Sequence, residues 1–193
     1  IVPTYLLCKF AREDVVVSLS GDGGDEAFGG YLRYRAGTFL EKVNPFLTLN
    51  PFRENTWGLI DNIRIKKFLR HASPSSTFHR YLQFQSLFQR SDLRSLLSNT
   101  LESEFKSDEF AGIWNRSKSK ETFRQMQEFD LKTYLPGDLM YKVDIASMAN
   151  GLEVRSPFLD YRVVEFGLSL PTHYKSFRGK NKHILREIAK KYI

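Results

Sequence analysis

Asp22, Asp25 and Glu26 crowd into one short turn of VVVSLSGDGGDEAFGGY, residues 15–31. Three carboxylates on a glycine loop repel one another, so something must offset their charge. A divalent cation is one answer. Mg²⁺ takes one or two carboxylates and fills its shell with phosphate oxygens and water. A second answer gives one acid the work of a base, or of a holder for a substrate amine. A third makes the acids a polar helix cap on a solvent-facing turn. The spacing alone leaves all three open. It does exclude two phosphate loops: no Gly-Lys-Ser/Thr follows, and Glu26 stands where a third dinucleotide-loop glycine would be.

A second charged segment is YLPGDLMYKVDIASMANGLEVRSPFLD, residues 134–160. It sets Lys142, Asp144, Glu153, Arg155 and Asp160 in an apolar frame. Charges at that density suggest paired ions near a cavity. The plainer reading is a salt-bridged connection that serves only the fold, and it suits Glu153, Arg155 and Asp160. Lys142 is better placed to face a phosphate.

The elements that must position these residues follow from periodicity. Residues 3–12 read as a short helix, and the β-branched run 14–19 as a buried strand. Strand, glycine turn and helix in succession match a site at the carboxyl end of a parallel sheet. Gly21, Gly23 and Gly24 permit close approach of a ligand to the main chain. Asp25 or Glu26 opens a helix expected to reach Tyr34. The prolines and asparagines of residues 44–56 predict a break. A stripe of Phe78, Tyr81, Leu82, Gln85 and Phe88 predicts a helix over 76–90, and Ser91 caps the next. Ser119 caps a helix through Tyr134, with Phe123, Met126 and Asp130 on related turns, until Pro136 ends or bends it. A new helix is expected from Gly137 to Ala149, with Gly151 just past its end. LEVRSPF reads as extended, because Pro157 disfavours helix at Ser156. Asp160 caps a helix through Leu168. Asn181 caps the last one, where Ile184, Leu185, Ile188, Ala189 and Tyr192 form an apolar stripe. The expected fold class is α/β with a parallel sheet for the parent fold. These 193 residues are mainly helical with about one buried strand, whose sheet partners lie elsewhere.

Composition bounds the rest. The chain is 41% hydrophobic and 14% aromatic, which is a globular composition. No stretch approaches the roughly 20 apolar residues of a membrane span, and no signal peptide is legible, so a cytoplasmic location and no membrane partner are expected. Ile1 at the start, and a helical pattern still running at the end, read as a piece of a longer protein. Cys8 is the single cysteine, which excludes an internal disulfide, and its apolar run reads as a small buried hydrophobe. The net charge is +7, and residues 173–193 hold seven Lys and Arg against one Glu. Such a tail reads as the solvated face of a terminal helix, or as an attractor of phosphate or nucleic acid.

Taken together, the two charged segments resemble the synthetase domain of the glutamine-hydrolysing asparagine synthase family. SGDGGDEAFGGYLRY (20–34) is similar to that family's nucleotide loop, S-G-[DE]-G-[SG]-D-E-x-F-G-G-Y. YLPGDLMYKVDIASMANGLEVRSPFLDYRVVEF (134–166) resembles its helical signature, and LPTHYKSFRGKNKHILRE (170–187) the stretch that follows. The resemblance implies an adenine nucleotide α-hydrolase-like fold and an ATP pyrophosphatase. Aspartate would attack the α-phosphate of MgATP, giving β-aspartyl-AMP and pyrophosphate. Ammonia from glutamine would then displace AMP to give asparagine. On this resemblance Ser20 and Gly21 contact the nucleotide, and Asp22 is the base for the ammonia step. Asp25 binds Mg²⁺, Glu26 lies near the aspartate amino group, and Lys142 reaches the phosphates. ATP and Mg²⁺ are the implied cofactors, and a homodimer is compatible with the family.

The chain also departs from the family's pattern. The S-G-G-x-D-S loop and the N-terminal glutaminase are missing, so the 193 residues read as the C-terminal portion of a synthetase domain, inactive when isolated. A lysine motif of the family is missing too, and neither Lys180 nor Lys182 matches it. Beside this reading stand a binding or regulatory remnant that keeps the fold without catalysis, and two further rivals. One is a related amidotransferase acting on another carboxylate, in a surface-polysaccharide or secondary-metabolite pathway. The other, of a different class, is a basic helical nucleic-acid-binding module built on the cationic tail. It leaves the acid loop without a role.

Overall fold

The computed structural model describes residues 1–48, 76–86 and 108–193. In chain order they form α1 (Val2–Asp14), β1 (Val17–Leu19), α2 (Gly24–Phe28), α3 (Leu32–Thr48), α4 (Thr77–Gln85), α5 (Asp108–Asn115) and α6 (Thr122–Lys132). A π-type turn (Leu135–Met140) leads into α7 (Tyr141–Met148), β2 (Glu153–Arg155) and a 3₁₀ turn (Pro157–Leu159). α8 (Tyr161–Ser169), α9 (Thr172–Lys175), β3 (Ser176–Phe177), β4 (Lys180–Asn181) and α10 (His183–Ala189) complete the series. The described residues are thus mostly helical with a small parallel sheet. The chain divides into two compact units, residues 1–32 with 124–193, and residues 33–123.

The first unit carries the acid loop. β1 and β2 pair in parallel, Val17 opposite Glu153 and Leu19 opposite Arg155. α1 lies against α7, with Cys8, Ala146 and Leu152 in their shared core and Ala11 and Val154 packed beside it. Arg12 Nε donates to the Gly151 carbonyl at 3.0 Å, tying α1 to the turn before β2. Gly151 has φ +63°, the left-handed conformation expected just past a helix end. Cys8 is buried and free, in keeping with its reading as a small core residue.

Several expectations are corrected. The 14–19 strand is shorter and is not buried: Val16 and Leu19 are 59% and 74% exposed. β1 has β2 on one edge and no strand on the other among the described residues, and its apolar side chains are largely exposed. Among those residues there are four short strands in two sheets rather than one strand. The helix after the acid loop stops at Phe28 instead of reaching Tyr34, because Gly29 turns left-handed (φ +69°) and closes it. α3 then runs through Pro45 to Thr48, within the stretch expected to be a break; the rest of that stretch lies outside the described residues. The helix expected to restart at Gly137 does not. Pro136 has no N–H to give, and the chain widens into the π-type turn and flows into α7.

Asn181 does not cap the last helix. It sits in β4, while Lys182, at φ +51°, precedes α10. β3 and β4 form a hairpin closed by Arg178 and Gly179, both with positive φ, as a two-residue turn between twisted strands requires. The apolar stripe of the last helix is not buried within the described residues: Ile188 is 46% and Tyr192 83% exposed. Asp160 does cap α8, accepting from the Arg162 N–H at 2.9 Å.

The second unit is aromatic. Tyr34 stacks on Tyr81 and packs against Phe123, and Trp114 meets both Phe78 and Tyr81. The expected stripe of α4 holds at Phe78 and Tyr81, both buried. Phe88 and the helix capped by Ser91 lie outside the described residues.

Candidate active site

The acid loop is shaped by what surrounds a one-turn helix. Gly23 opens α2 with φ +85°, and a Cβ there would fall 2.2 Å from Leu159 Cδ2, so only glycine fits. Phe28 meets the Phe158 ring edge-on, and Gly167 of α8 passes Ala27 at a distance a Cβ would close to 3.0 Å. α2 is therefore held on α8 and the 3₁₀ turn.

Every late carbonyl of this short helix needs a donor from outside it. The Asp25 carbonyl accepts from Gly29 and Gly30. The carbonyls of Glu26 and Ala27 accept from a single side-chain amide, Gln127 Nε2, at 2.6 and 2.9 Å. Gln127 Oε1 accepts in turn from Lys175 Nζ at 2.9 Å, and the same ammonium donates to the Leu168 carbonyl. Gln127 and Lys175 are 0% and 1% exposed. Lys175 thus belongs to the interior of the site and not to a solvated basic face.

The three acids differ in environment. Asp22 is half-buried; its N–H donates to Ser20 Oγ at 3.1 Å, and the Ser20 hydroxyl donates back to Asp22 Oδ2. Gly21, beside them, is exposed. Asp25 is half-exposed, with Lys182 Nζ 2.9 Å from its Oδ1. Asn181 Nδ2 donates to the Gly30 carbonyl at 2.8 Å, so the β3–β4 hairpin and the residue after it are fastened to the loop at two points. Glu26 is 1% exposed. Its Oε1 accepts from the Tyr31 hydroxyl at 2.7 Å, while Oε2 is buried without a hydrogen-bond partner among the described residues. Burial pushes the Glu26 carboxyl above its ordinary value. The negative charges of Asp25 and Asp130 add to the shift, and the Tyr31 hydrogen bond opposes it.

The structure brings Ser20, Asp22, Asp25 and Glu26 onto one loop. Lys142 is half-buried in the first turn of α7 and forms no ion pair with a described residue. Glu153 and Arg155 pair with each other at 2.7 Å, and Asp160 with Arg162 at 2.8 Å, which is the plain salt-bridge reading of that segment. Four residues of the site are not singled out by the sequence reading: Gln127, the role of Asp130, Lys175 and Lys182. For two of them a signal exists. Gln127 and Asp130 fall on the Phe123–Met126 stripe of α6, polar groups on an apolar face, and such groups must find buried partners.

A divalent cation is compatible with this donor set. Asp25 keeps its carboxylate half-exposed beside Lys182, and Asp22 and Glu26 add carboxylates nearby. No three His, Cys, Asp or Glu side chains converge as a metal nest among the described residues. An ion at Asp25 would thus draw most of its ligands from phosphate and water, as Mg²⁺ commonly does.

The asparagine synthase family model matches residues 1–193. The chain belongs to the asparagine synthase family. Asparagine synthetase [glutamine-hydrolyzing] 1 of Bacillus subtilis is 32% identical over 200 residues, covering 97% of this chain and 30% of that protein. A putative asparagine synthetase [glutamine-hydrolyzing] of Mycobacterium tuberculosis is 35% identical over 191 residues, covering 96% and 29%. One of Methanocaldococcus jannaschii is 50% identical over 75 residues, covering 35% of this chain and 15% of that protein. The chain therefore spans about 30% of the length of the Bacillus relative. No helix among its described residues is long and apolar enough to cross a membrane.

Proposed function

We propose that this chain supplies the acid-loop part of an ATP-dependent ligase that converts aspartate to asparagine, with ammonia drawn from glutamine. The activity belongs to the complete protein, whose other parts would bring the glutaminase and the rest of the synthetase sheet. The edge of β1 without a strand among the described residues is where that sheet would continue. The observation that carries the reading is the division of labour among three neighbouring acids: one tied to a serine, one half-exposed beside a lysine, one buried with an open oxygen.

Aspartate would attack the α-phosphate of ATP, forming β-aspartyl-AMP and releasing pyrophosphate. Ser20 and Gly21 contact the nucleotide. Asp25 holds Mg²⁺, and Lys182, already beside it, adds positive charge where the phosphates would lie. Bound there, the ion would neutralise charge on the departing pyrophosphate. Lys142 supplies a further cation toward the phosphates. Glu26, with its unpartnered Oε2, accepts a hydrogen bond from the amino group of aspartate. Asp22 takes a proton from the ammonia nucleophile as it displaces AMP, since an ammonium must lose protons before it forms the amide.

The test is Asp25→Asn in the complete protein. Aspartate- and MgATP-dependent pyrophosphate release should fall by about 10²-fold or more, and glutamine hydrolysis should persist. Wild-type pyrophosphate release would remove Asp25 from the metal. Amide formation from a carboxylic acid other than aspartate, with aspartate inert, would move the protein to the related amidotransferases.

A further inference from the structure

We propose that Gln127 and Lys175 are positioning residues that set the height and tilt of Glu26 toward the acceptor substrate. The inference rests on the reading of Glu26 as the contact for the substrate amine. A helix of one turn cannot hold its own shape, because its last carbonyls have no partners within it. Two of those that α2 leaves open, the carbonyls of Glu26 and Ala27, are both taken by the Gln127 amide. Nε2 has two hydrogens and spends one on each carbonyl.

An amide can also sit flipped, with oxygen and nitrogen exchanged. Lys175 forbids it. An ammonium donates and never accepts, so it faces only the oxygen of Gln127. Lys175 is itself fixed by the Leu168 carbonyl at the end of α8, the helix against which α2 packs. The path therefore runs from α8 through Lys175 and Gln127 to the backbone of Glu26, and every side chain in it is buried. Glu26 is held a second time by Tyr31, whose ring meets Tyr134 edge-on. Backbone and carboxylate are thus anchored independently, which leaves the buried Oε2 as the one oxygen of that carboxylate without a hydrogen-bond partner among the described residues.

The experiment uses the complete protein, with KM for aspartate and KM for MgATP measured separately by pyrophosphate release. Gln127→Glu keeps the shape and can still meet Lys175, but has no hydrogens for the two carbonyls. It should raise KM for aspartate about 10-fold with KM for ATP within about 2-fold. Lys175→Met should shift the same parameter, and Lys175→Arg should restore most of the loss. Amide exchange over residues 24–30 should quicken in Gln127→Glu while residues 161–169 keep their protection. A wild-type KM for aspartate in Gln127→Glu, or equal changes for both substrates, overturns the inference. Glu26→Gln separates the levels. If it raises KM for aspartate and Gln127→Glu does not, the positioning role alone fails. If Glu26→Gln leaves that KM unchanged, the assignment of Glu26 fails and the positioning role with it. Should neither Gln127→Glu nor Gln127→Met fold, the network serves stability, which also overturns the inference.

Discussion

The ammonium of Lys182 lies 2.9 Å from Oδ1 of Asp25, and both side chains rest against the α-carbon of Gly30. Neither is deeply buried, so the pair adds little to stability. Its consequence is placement: the cation approaching from the hairpin sits beside the carboxylate in the first turn of α2.

Gly30 makes that placement testable. An alanine there would put its Cβ 1.7 Å from Asp25 Oδ1 and 2.4 Å from Lys182 Cε. Both are ends of flexible side chains and can swing away. Gly30→Ala should therefore cost at most about 1–2 kcal/mol in denaturant unfolding, since the strain is relieved by rotamers. Pyrophosphate release should nonetheless fall by at least about 10-fold, because a misplaced carboxylate no longer meets its partner. A variant that keeps full activity would separate the pair from the reaction.

Asp22 is assigned to the second half-reaction only. Asp22→Asn should reduce asparagine formation by about 10²-fold and spare pyrophosphate release, following the usual worth of a general base. Parallel assays of the two products decide it. Equal loss in both would return Asp22 to the adenylation step.

Glu26 predicts a pH effect on stability. Its carboxyl is raised above the ordinary 4.5, chiefly by burial. A carboxyl raised in the folded state favours folding fully below its unfolded value and loses that contribution as pH rises through the folded value. Ionised Glu26 is thus a cost at neutral pH. Glu26→Gln should melt at a higher temperature than the wild type at pH 7, and the difference should shrink toward about pH 4. Melts across that window, with activity recorded alongside, should show stability and function moving in opposite directions.

Asp160 runs the other way. Hydrogen bonds from Arg162 hold its carboxyl down at about 2. A depressed carboxyl contributes stability above its unfolded value of 3.8 and loses it as pH falls through the folded one. Asp160→Ala should lower the melting temperature at pH 7 and converge on the wild type between about pH 4 and pH 2. Circular dichroism melts over that range check it.

Much of the site is legible in the residue types alone. The order of strand, glycine turn and acids rests on local chemistry: glycine permits positive φ at residue 23, and clustered carboxylates demand compensation wherever they fall. The Asp160 cap and the extended LEVRS segment are equally local, since a side chain and its own backbone decide them. The break at Gly29 is hidden from periodicity because the helical pattern continues across it, and only the left-handed turn, stabilised by bonds to Asp25, interrupts it.

What the tertiary structure decided is who meets the acids. The charge of Lys175 reads as solvated in a basic tail, yet it is buried against Gln127; Lys182, in the same tail, pairs with Asp25. Partners from the far end of the chain carry no local periodicity that announces them. Burial likewise depends on neighbours in space: the 14–19 run is apolar by composition, yet Val16 and Leu19 stay exposed, because composition alone does not supply a layer packed on the faces of a strand. Residue types near the loop determine which chemistry is available, and packing of distant segments determines which groups are close enough to take part.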